Sequence, residues 1–243
     1  MAPIKNPVDL AKLAATEYQT IYGSDLVAGI VYGSAAGADF DPEKSDINLL
    51  IVLKEMNLES LRKSFSLQEK LHKKRFAQPL IMDAAYIASS LDSFPIEFLN
   101  IKLNCKLIFG ADLPASWQVR PVDIRLQCER ELKGKWLHLM HEWLHVNNNP
   151  ARQLSLAQIS LKDFAAIFRA LLFLKGSPVP SNIIELLGAI EQAYSLVGKP
   201  LTQVQKTCLT NDKKQISAQF IQYTSAIKTI IDTIDQQSTK ESV

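Results

Sequence analysis

The spacing of apolar residues changes character along this 243-residue chain, and the changes mark its organisation. Over residues 7–22, Val8, Leu10, Leu13, Ala14 and Ile21 recur at near-helical intervals and Gly23 closes the run, which predicts a helix. Residues 26–32, Leu-Val-Ala-Gly-Ile-Val-Tyr, are short, apolar and β-branched, as a buried strand is. Gly33-Ser34-Ala35-Ala36-Gly37 breaks that pattern, and a polar loop containing Pro42 follows. Residues 46–53 begin polar and become continuously apolar, the pattern of a core strand whose start reaches the surface. Residues 57–75 predict a helix with Leu58, Leu61, Phe65 and Leu71 as its apolar stripe. Residues 79–87 predict a third strand running into a turn. Residues 96–109 alternate loosely up to Gly110, which predicts one more strand or an edge extension. Strands alternating with helices in this order imply an α/β sheet.

From Pro121 onward the period is helical throughout. Residues 123–146 predict a long helix with Ile124, Leu132, Trp136, Leu139, Met140, Trp143 and Leu144 on its apolar side, stopped by Asn147-Asn148-Asn149-Pro150. A second helix is predicted over 153–175, ended by Gly176-Ser177-Pro178. Ser181 is the expected N-cap of a third, 182–197, with Gly198 after it. A fourth helical region covers 202–237 and is interrupted near Asn211-Asp212. Short breaks between these helices imply antiparallel packing. The predicted fold class is therefore α+β. It comprises an N-terminal α/β domain over 1–117 with a mixed sheet and flanking helices, a helical bundle over 118–238, and a flexible tail over 239–243.

Composition narrows the functional classes. At 47% hydrophobic and 21% charged residues, the chain is globular rather than disordered. Cys105, Cys128 and Cys208 are odd in number, widely spaced and without a CxxC, which argues for free thiols rather than a disulfide framework or a cysteine zinc site. No apolar run reaches membrane-spanning length and the N-terminus has no apolar signal core, so a cytoplasmic protein with no membrane partner is expected. A net charge of +2 gives no electrostatic case for nucleic acid as a partner. The basic run Lys70, His72, Lys73, Lys74 and Arg75 reads as a solvated helix end, where cations are favoured.

The chemically informative stretch is 27–53. Gly33-Ser34 stands where a strand gives way to a turn. Glycine there allows a ligand to approach the backbone, and amide N–H groups beside a serine hydroxyl suit a phosphate. Asp46 and Asn48 open the next strand, and residues at i and i+2 of a strand share a face. Two oxygen ligands on one face can hold Mg²⁺ against a phosphate chain.

An apolar strand, Gly-Ser, a loop and then Asp-x-Asp or Asp-x-Glu is the signature of the polymerase-β-like nucleotidyltransferase superfamily, and residues 31–48 resemble it. The layout of the whole chain is similar to bacterial nucleotidyltransferase-domain proteins of the aminoglycoside nucleotidyltransferase type, whose C-terminal part is helical. Residues 90–99 and 107–112 also look like the close of such a domain. The resemblance implies a nucleotidyltransferase-like N-terminal domain and Mg²⁺-dependent transfer of a nucleoside monophosphate from a nucleoside triphosphate, ATP foremost, to a hydroxyl of an acceptor the sequence does not identify. It places Gly33 and Ser34 on the phosphates and Asp46 on the metal. Position 48 corresponds to the second metal-binding carboxylate and is asparagine here. Asp83 and Glu97 are candidates for the third. Because Asn48 brings no charge to a cation that favours anionic oxygen, two readings stay open: an enzyme with impaired transfer, or a catalytically inactive relative that binds a nucleotide or a partner.

One further motif competes. Residues 141–145 read His-Glu-Trp-Leu-His, which fits H-E-x-x-H. On a helix His141 and His145 share a face and could bind zinc, with Glu142 as general base, as in a metalloprotease. Spacing alone places no third ligand; Glu185 or Glu191 could serve only if the bundle brought it close.

Overall fold

The computed structural model describes residues 3–37 and 39–240, the last four of these by backbone only. By contacts the chain divides into two compact units, Met1–Val119 and Arg120–Val243.

The first unit is built on a four-stranded sheet in the order β3-β2-β1-β4, from β1 (Leu26–Tyr32), β2 (Asn48–Leu53), β3 (Leu80–Asp83) and β4 (Cys105–Gly110). β1 runs antiparallel to both β2 and β4, whereas β2 and β3 are parallel. The sheet is therefore mixed, as the sequence pattern implied. Both faces are covered, which is why β2 reads as an unbroken apolar run. On one face Leu49, Ile51 and Leu53 pack with Val31 against Ala11, Ala14 and Tyr18 of α1 (Pro7–Tyr22). On the other, Leu50 and Val52 join Ala28 and Ile30 against three segments: α4 (Ala84–Ser90), α5 (Pro95–Leu103) and Trp117, which follows the short α6 (Leu113–Ser116). Each fully buried Leu or Ile in these layers contributes roughly 1.5–3 kcal/mol.

Several elements differ from their sequence-based expectation. The helix expected over 57–75 is two helices, α2 (Leu58–Arg62) and α3 (Phe65–His72). Ser64 sits at the break, 1% exposed, with its hydroxyl donating to Leu61 O at 3.0 Å. The break re-phases the chain, so Leu67 and Leu71 reach the core while Leu58 and Phe65 stay exposed at 80% and 58%. The loose alternation over 96–109 conceals a helix: Pro95 occupies the first turn of α5, and Ile96, Phe98, Leu99 and Ile101 are its buried face. Only from Cys105 on, through Gly110, does the chain form a strand. β3 is likewise short, because Asp83 ends it by capping α4.

The second unit is helical: α7 (Pro121–Val146), α8 (Pro150–Leu174), α9 (Ile183–Ala193), α10 (Pro200–Thr210) and α11 (Ile216–Lys240). α8 is its centre, with Leu154, Ala157, Leu161, Phe164, Phe168 and Leu172 all buried. Asn147, at a φ of 49°, stops α7, and Asn149 caps α8 by accepting from Ala151 N and Arg152 N. The cap of α9 is Asn182 and not Ser181: its carboxamide oxygen accepts from Ile184 N at 2.9 Å and Glu185 N at 3.2 Å. Leu144 does not join the apolar side of α7; it is 78% exposed. Of the expected tail, 239–240 continue α11 and 241–243 lie outside the described residues.

Candidate functional site

β1 ends at Tyr32, and the chain leaves the sheet at Gly33 with a φ of +72°, entering a one-turn 3₁₀ segment, Gly33–Ala36. That φ is left-handed, which only glycine adopts without strain. The first residue of β2, Asn48, is paired with Tyr32, so antiparallel register brings Asn48 beside the Gly33 bend. A Cβ added at Gly33 would stand 3.3 Å from Asn48 Nδ2. Gly33, Ser34 and Asn48 thus share one end of the sheet.

The bend is fastened by a residue that sequence reasoning did not single out. Asn104, which terminates α5, accepts from Gly33 N at 3.0 Å through its backbone oxygen and donates from Nδ2 to Gly33 O at 3.0 Å. A Cβ at Gly37 would lie 2.9 Å from Asn104 Oδ1, so the far side of the turn closes on the same side chain. Because the Gly33 N–H is taken, glycine contributes shape here, and Ser34, half-buried, supplies the polar group.

Asp46 precedes β2 rather than belonging to it. Its side chain is 61% exposed, and its Oδ1 lies 4.0 Å from Arg75 Nε. Arg75 is only 10% exposed. It donates from one terminal nitrogen to Pro42 O at 2.7 Å and from the other to Ser45 O, so it braces the loop that delivers Asp46. Its own carbonyl accepts from Ile47 N at 2.9 Å. Arg75 is therefore not the solvated helix end its basic run suggests, whereas Lys70, His72, Lys73 and Lys74 are exposed. Asp41 is occupied locally, accepting from Glu43 N and Lys44 N.

Neither candidate third carboxylate joins this group. Asp83 pairs with Leu53, at the opposite end of β2. Leu53 stands five positions along the strand from Asn48, roughly 17 Å. There Asp83 caps α4, accepting from Tyr86 N at 2.7 Å and Met56 N at 3.2 Å, and these backbone N–H groups hold its carboxyl below the usual carboxylate range. Glu97 is exposed in the first turn of α5, about 10 Å of helix away from the Asn104 end that grips Gly33. Beside Asp46 and Asn48 the neighbouring chain is Arg75–Phe76–Ala77, held to Ile47 by backbone bonds and bringing a cation instead of an anion. Of the expected metal ligands, one carboxylate and one carboxamide stand here beside a guanidinium, and among the described residues no three metal-ligating acids gather at this end of the sheet. That set does not fit a pair of Mg²⁺ ions, which need several anionic oxygens to offset their repulsion.

The histidine motif lies in the second unit, on α7. His141 Nε2 and His145 Nε2 are 3.1 Å apart, and Glu142 offers a carboxylate oxygen within 4.8 Å of both. Glu191, one of the residues considered as a third ligand, is buried and committed: it accepts from Leu201 N at 2.7 Å and Thr202 N at 2.8 Å. Glu185 is exposed in the first turn of α9.

No protein-family model matches the chain, and no curated protein matches it in sequence. Its structure, however, is similar to the crystal structure of spectinomycin adenyltransferase AAD(9) from Enterococcus faecialis, solved with ATP and spectinomycin. The TM-score is 0.53 at 10% identity, over 89% of this chain and 98% of that one. The fold is nucleotidyltransferase-like. At that identity the likeness is one of architecture, an α+β fold with a helical C-terminal part. Within this fold, the bend at Gly33 and the start of β2 face each other across one strand pair. No described helix is long and apolar enough to cross a membrane.

Proposed function

We propose that this chain is a nucleoside-triphosphate-binding protein of nucleotidyltransferase fold in which metal-dependent nucleotidyl transfer is impaired. The observation that carries the reading is the pairing of Tyr32 with Asn48, which sets the Gly33-Ser34 bend directly beside the first residue of β2. A phosphate chain would lie against the bend, with the Ser34 hydroxyl as a donor. Asn48, at the start of the neighbouring strand, and Asp46, in the loop just before it, would face it. The ATP named for the spectinomycin adenyltransferase supports a triphosphate as the ligand. The impairment rests on the donor set: Asn48 carries no charge, and the guanidinium of Arg75 faces the one carboxylate. Asp46 with Asn48 can hold at most a single weakly bound Mg²⁺, and Asp83 and Glu97 do not add to it.

Calorimetric titration of ATP, with and without Mg²⁺, tests the first half. Heat of binding that survives omission of the metal is expected, and loss of it on Ser34→Ala with Asn48→Ala would locate it. A chain that binds no nucleotide under either condition refutes the proposal. Release of pyrophosphate from labelled ATP, assayed with a panel of hydroxyl acceptors, tests the second half. Slow or undetectable transfer is expected, with Asn48→Asp increasing it; brisk transfer by the unaltered chain contradicts impairment.

A further inference from the structure

We infer that His141, His145 and Glu142 form a binding site for one divalent transition-metal ion of the zinc and copper class, independent of the nucleotide reading. The two imidazoles stand four residues apart on α7, hence one above the other on the same helix face. Their Nε2 atoms point at each other at 3.1 Å, with ring centroids 4.7 Å apart and ring planes at 73°. Metal–imidazole bonds are about 2.0–2.1 Å, so this separation corresponds to an N–metal–N angle of about 100°, between cis-octahedral and tetrahedral values. The spacing suits an ion, and a tilt of each ring turns its lone pair from the other nitrogen toward the metal.

The opposed nitrogens also demand an explanation in protein terms. One ring must present Nε2–H and the other a bare Nε2, so the contact fails when both nitrogens are bare or both carry hydrogen. A metal ion takes both lone pairs at once. Glu142 supplies the anionic oxygen, three residues before His145 and therefore its neighbour on the helix surface. Its carboxylate oxygen lies within 4.8 Å of both nitrogens, so a side-chain rotation closes the third bond. Both histidines are exposed and Glu142 is half-buried, so the ion reaches the site from solvent and keeps water on its remaining positions. Imidazole nitrogen suits Zn²⁺, Cu²⁺ and Ni²⁺; Mg²⁺ and Ca²⁺ prefer all-oxygen sets and are not expected here.

The test uses the full chain, stripped of metal with a chelator and titrated calorimetrically with ZnCl₂ and CuCl₂. One equivalent is expected to bind at this site. His141→Ala and His145→Ala should each weaken it by at least tenfold, and Glu142→Gln by less. Electron paramagnetic resonance of the Cu²⁺-loaded chain should show two nitrogen ligands, reduced to one in either histidine variant. Circular dichroism of the variants should be unchanged, since both histidines are exposed and Glu142→Gln keeps the size of the side chain. No stoichiometric binding, or binding equal in the wild type and the His141→Ala/His145→Ala double variant, overturns the assignment. In that case the pair is only a hydrogen-bonded one, or the ion sits elsewhere. Nucleotide binding should be unaffected in every variant.

Discussion

Asn104 engages both the N–H and the C=O of Gly33: Gly33 N donates to the backbone oxygen of Asn104, and Asn104 Nδ2 donates back to Gly33 O, each at 3.0 Å. The end of α5 is thereby tied to the end of β1 with the pattern of a narrow strand pair, one rung of which is a side chain. β4 starts at the next residue, where Cys105 pairs with Tyr32. The position of the bend is thus set by tertiary structure, and the short 3₁₀ segment after it inherits that position.

Asn104→Ala removes the side-chain rung and leaves the backbone one. Gly33 O then loses its side-chain donor in a half-buried place, a loss of about 1 kcal/mol. Urea denaturation should show that destabilisation. If a triphosphate lies at the bend, ATP affinity should fall as well, while Lys106→Ala, on an exposed position of β4, should change neither.

Gly33→Ala should cost more than a surface substitution for two separable reasons. An alanine at a φ of +72° is strained by about 1–2 kcal/mol. Its Cβ also meets Asn48 Nδ2 at 3.3 Å, which must yield by a few tenths of an ångström. Truncating Asn48 relieves the contact but not the backbone. In a double-mutant cycle with Asn48→Ala, Gly33→Ala should therefore be partly rescued. Strict additivity would show that the two residues do not pack on each other.

These contacts explain what the sequence could and could not reveal. β1, β2 and α1 were legible because their apolar residues keep the period of the element, and α1 adds Asn6 as its cap. The segment 96–109 misled because a nine-residue helix and a six-residue strand abut at Asn104, so neither period lasts long enough to dominate. Gly33, Ser34, Asp46 and Asn48 were legible as local motifs. Asn104 and Arg75 were not, because their partners lie 71 and 30 or more residues away and no local pattern encodes such a contact. Asp83 misled for the converse reason: an aspartate at a strand end is equally suited to coordinate a metal or to cap the next helix, and only register tells which end of the sheet it occupies.

Asp83 should consequently behave as a structural acid. Its folded carboxyl titrates below the ordinary value of 3.8, chiefly because Tyr86 N and Met56 N donate to the charged form. A depressed folded pKa contributes stability that is complete above the unfolded value and is lost as pH falls through the folded one. Asp83→Asn keeps an acceptor for the cap but removes the titration. Thermal melts between pH 2 and 5 should show a shallower acid dependence in the variant, and ATP binding at neutral pH should match the wild type. A variant that loses nucleotide binding while remaining folded would return Asp83 to the site.

Glu191 should carry much of the junction between α9 and α10. Its buried carboxylate serves two backbone N–H groups and the Thr202 hydroxyl at the start of α10, where negative charge is favoured. Glu191→Ala leaves those two N–H groups buried without an acceptor, a cost of about 2–3 kcal/mol. Glu191→Gln restores one acceptor oxygen and should recover part of it. Zinc or copper uptake should be the same in both variants as in the wild type, because the carboxylate is occupied elsewhere.

Arg75 has two separable effects, and Arg75→Ala exposes both. The loop loses the donors to Pro42 O and Ser45 O, which should destabilise the chain by about 1–3 kcal/mol. Alanine has the same difficulty as arginine at a φ of 62°, so backbone strain does not enter the difference. The second effect is electrostatic: the guanidinium is a like charge to any cation at Asp46, from 4.0 Å away. Removing it should raise the affinity for Mn²⁺, used as a spectroscopic substitute for Mg²⁺, most clearly when Asn48→Asp has supplied a second carboxylate. Asp46 is 61% exposed, so the gain should be modest and should shrink as salt is added. The measurement is a Mn²⁺ titration of Asn48→Asp with and without Arg75→Ala, at low and high ionic strength. If Arg75→Ala weakens Mn²⁺ binding instead, Arg75 acts on Asp46 through the shape of the loop, and its charge is secondary.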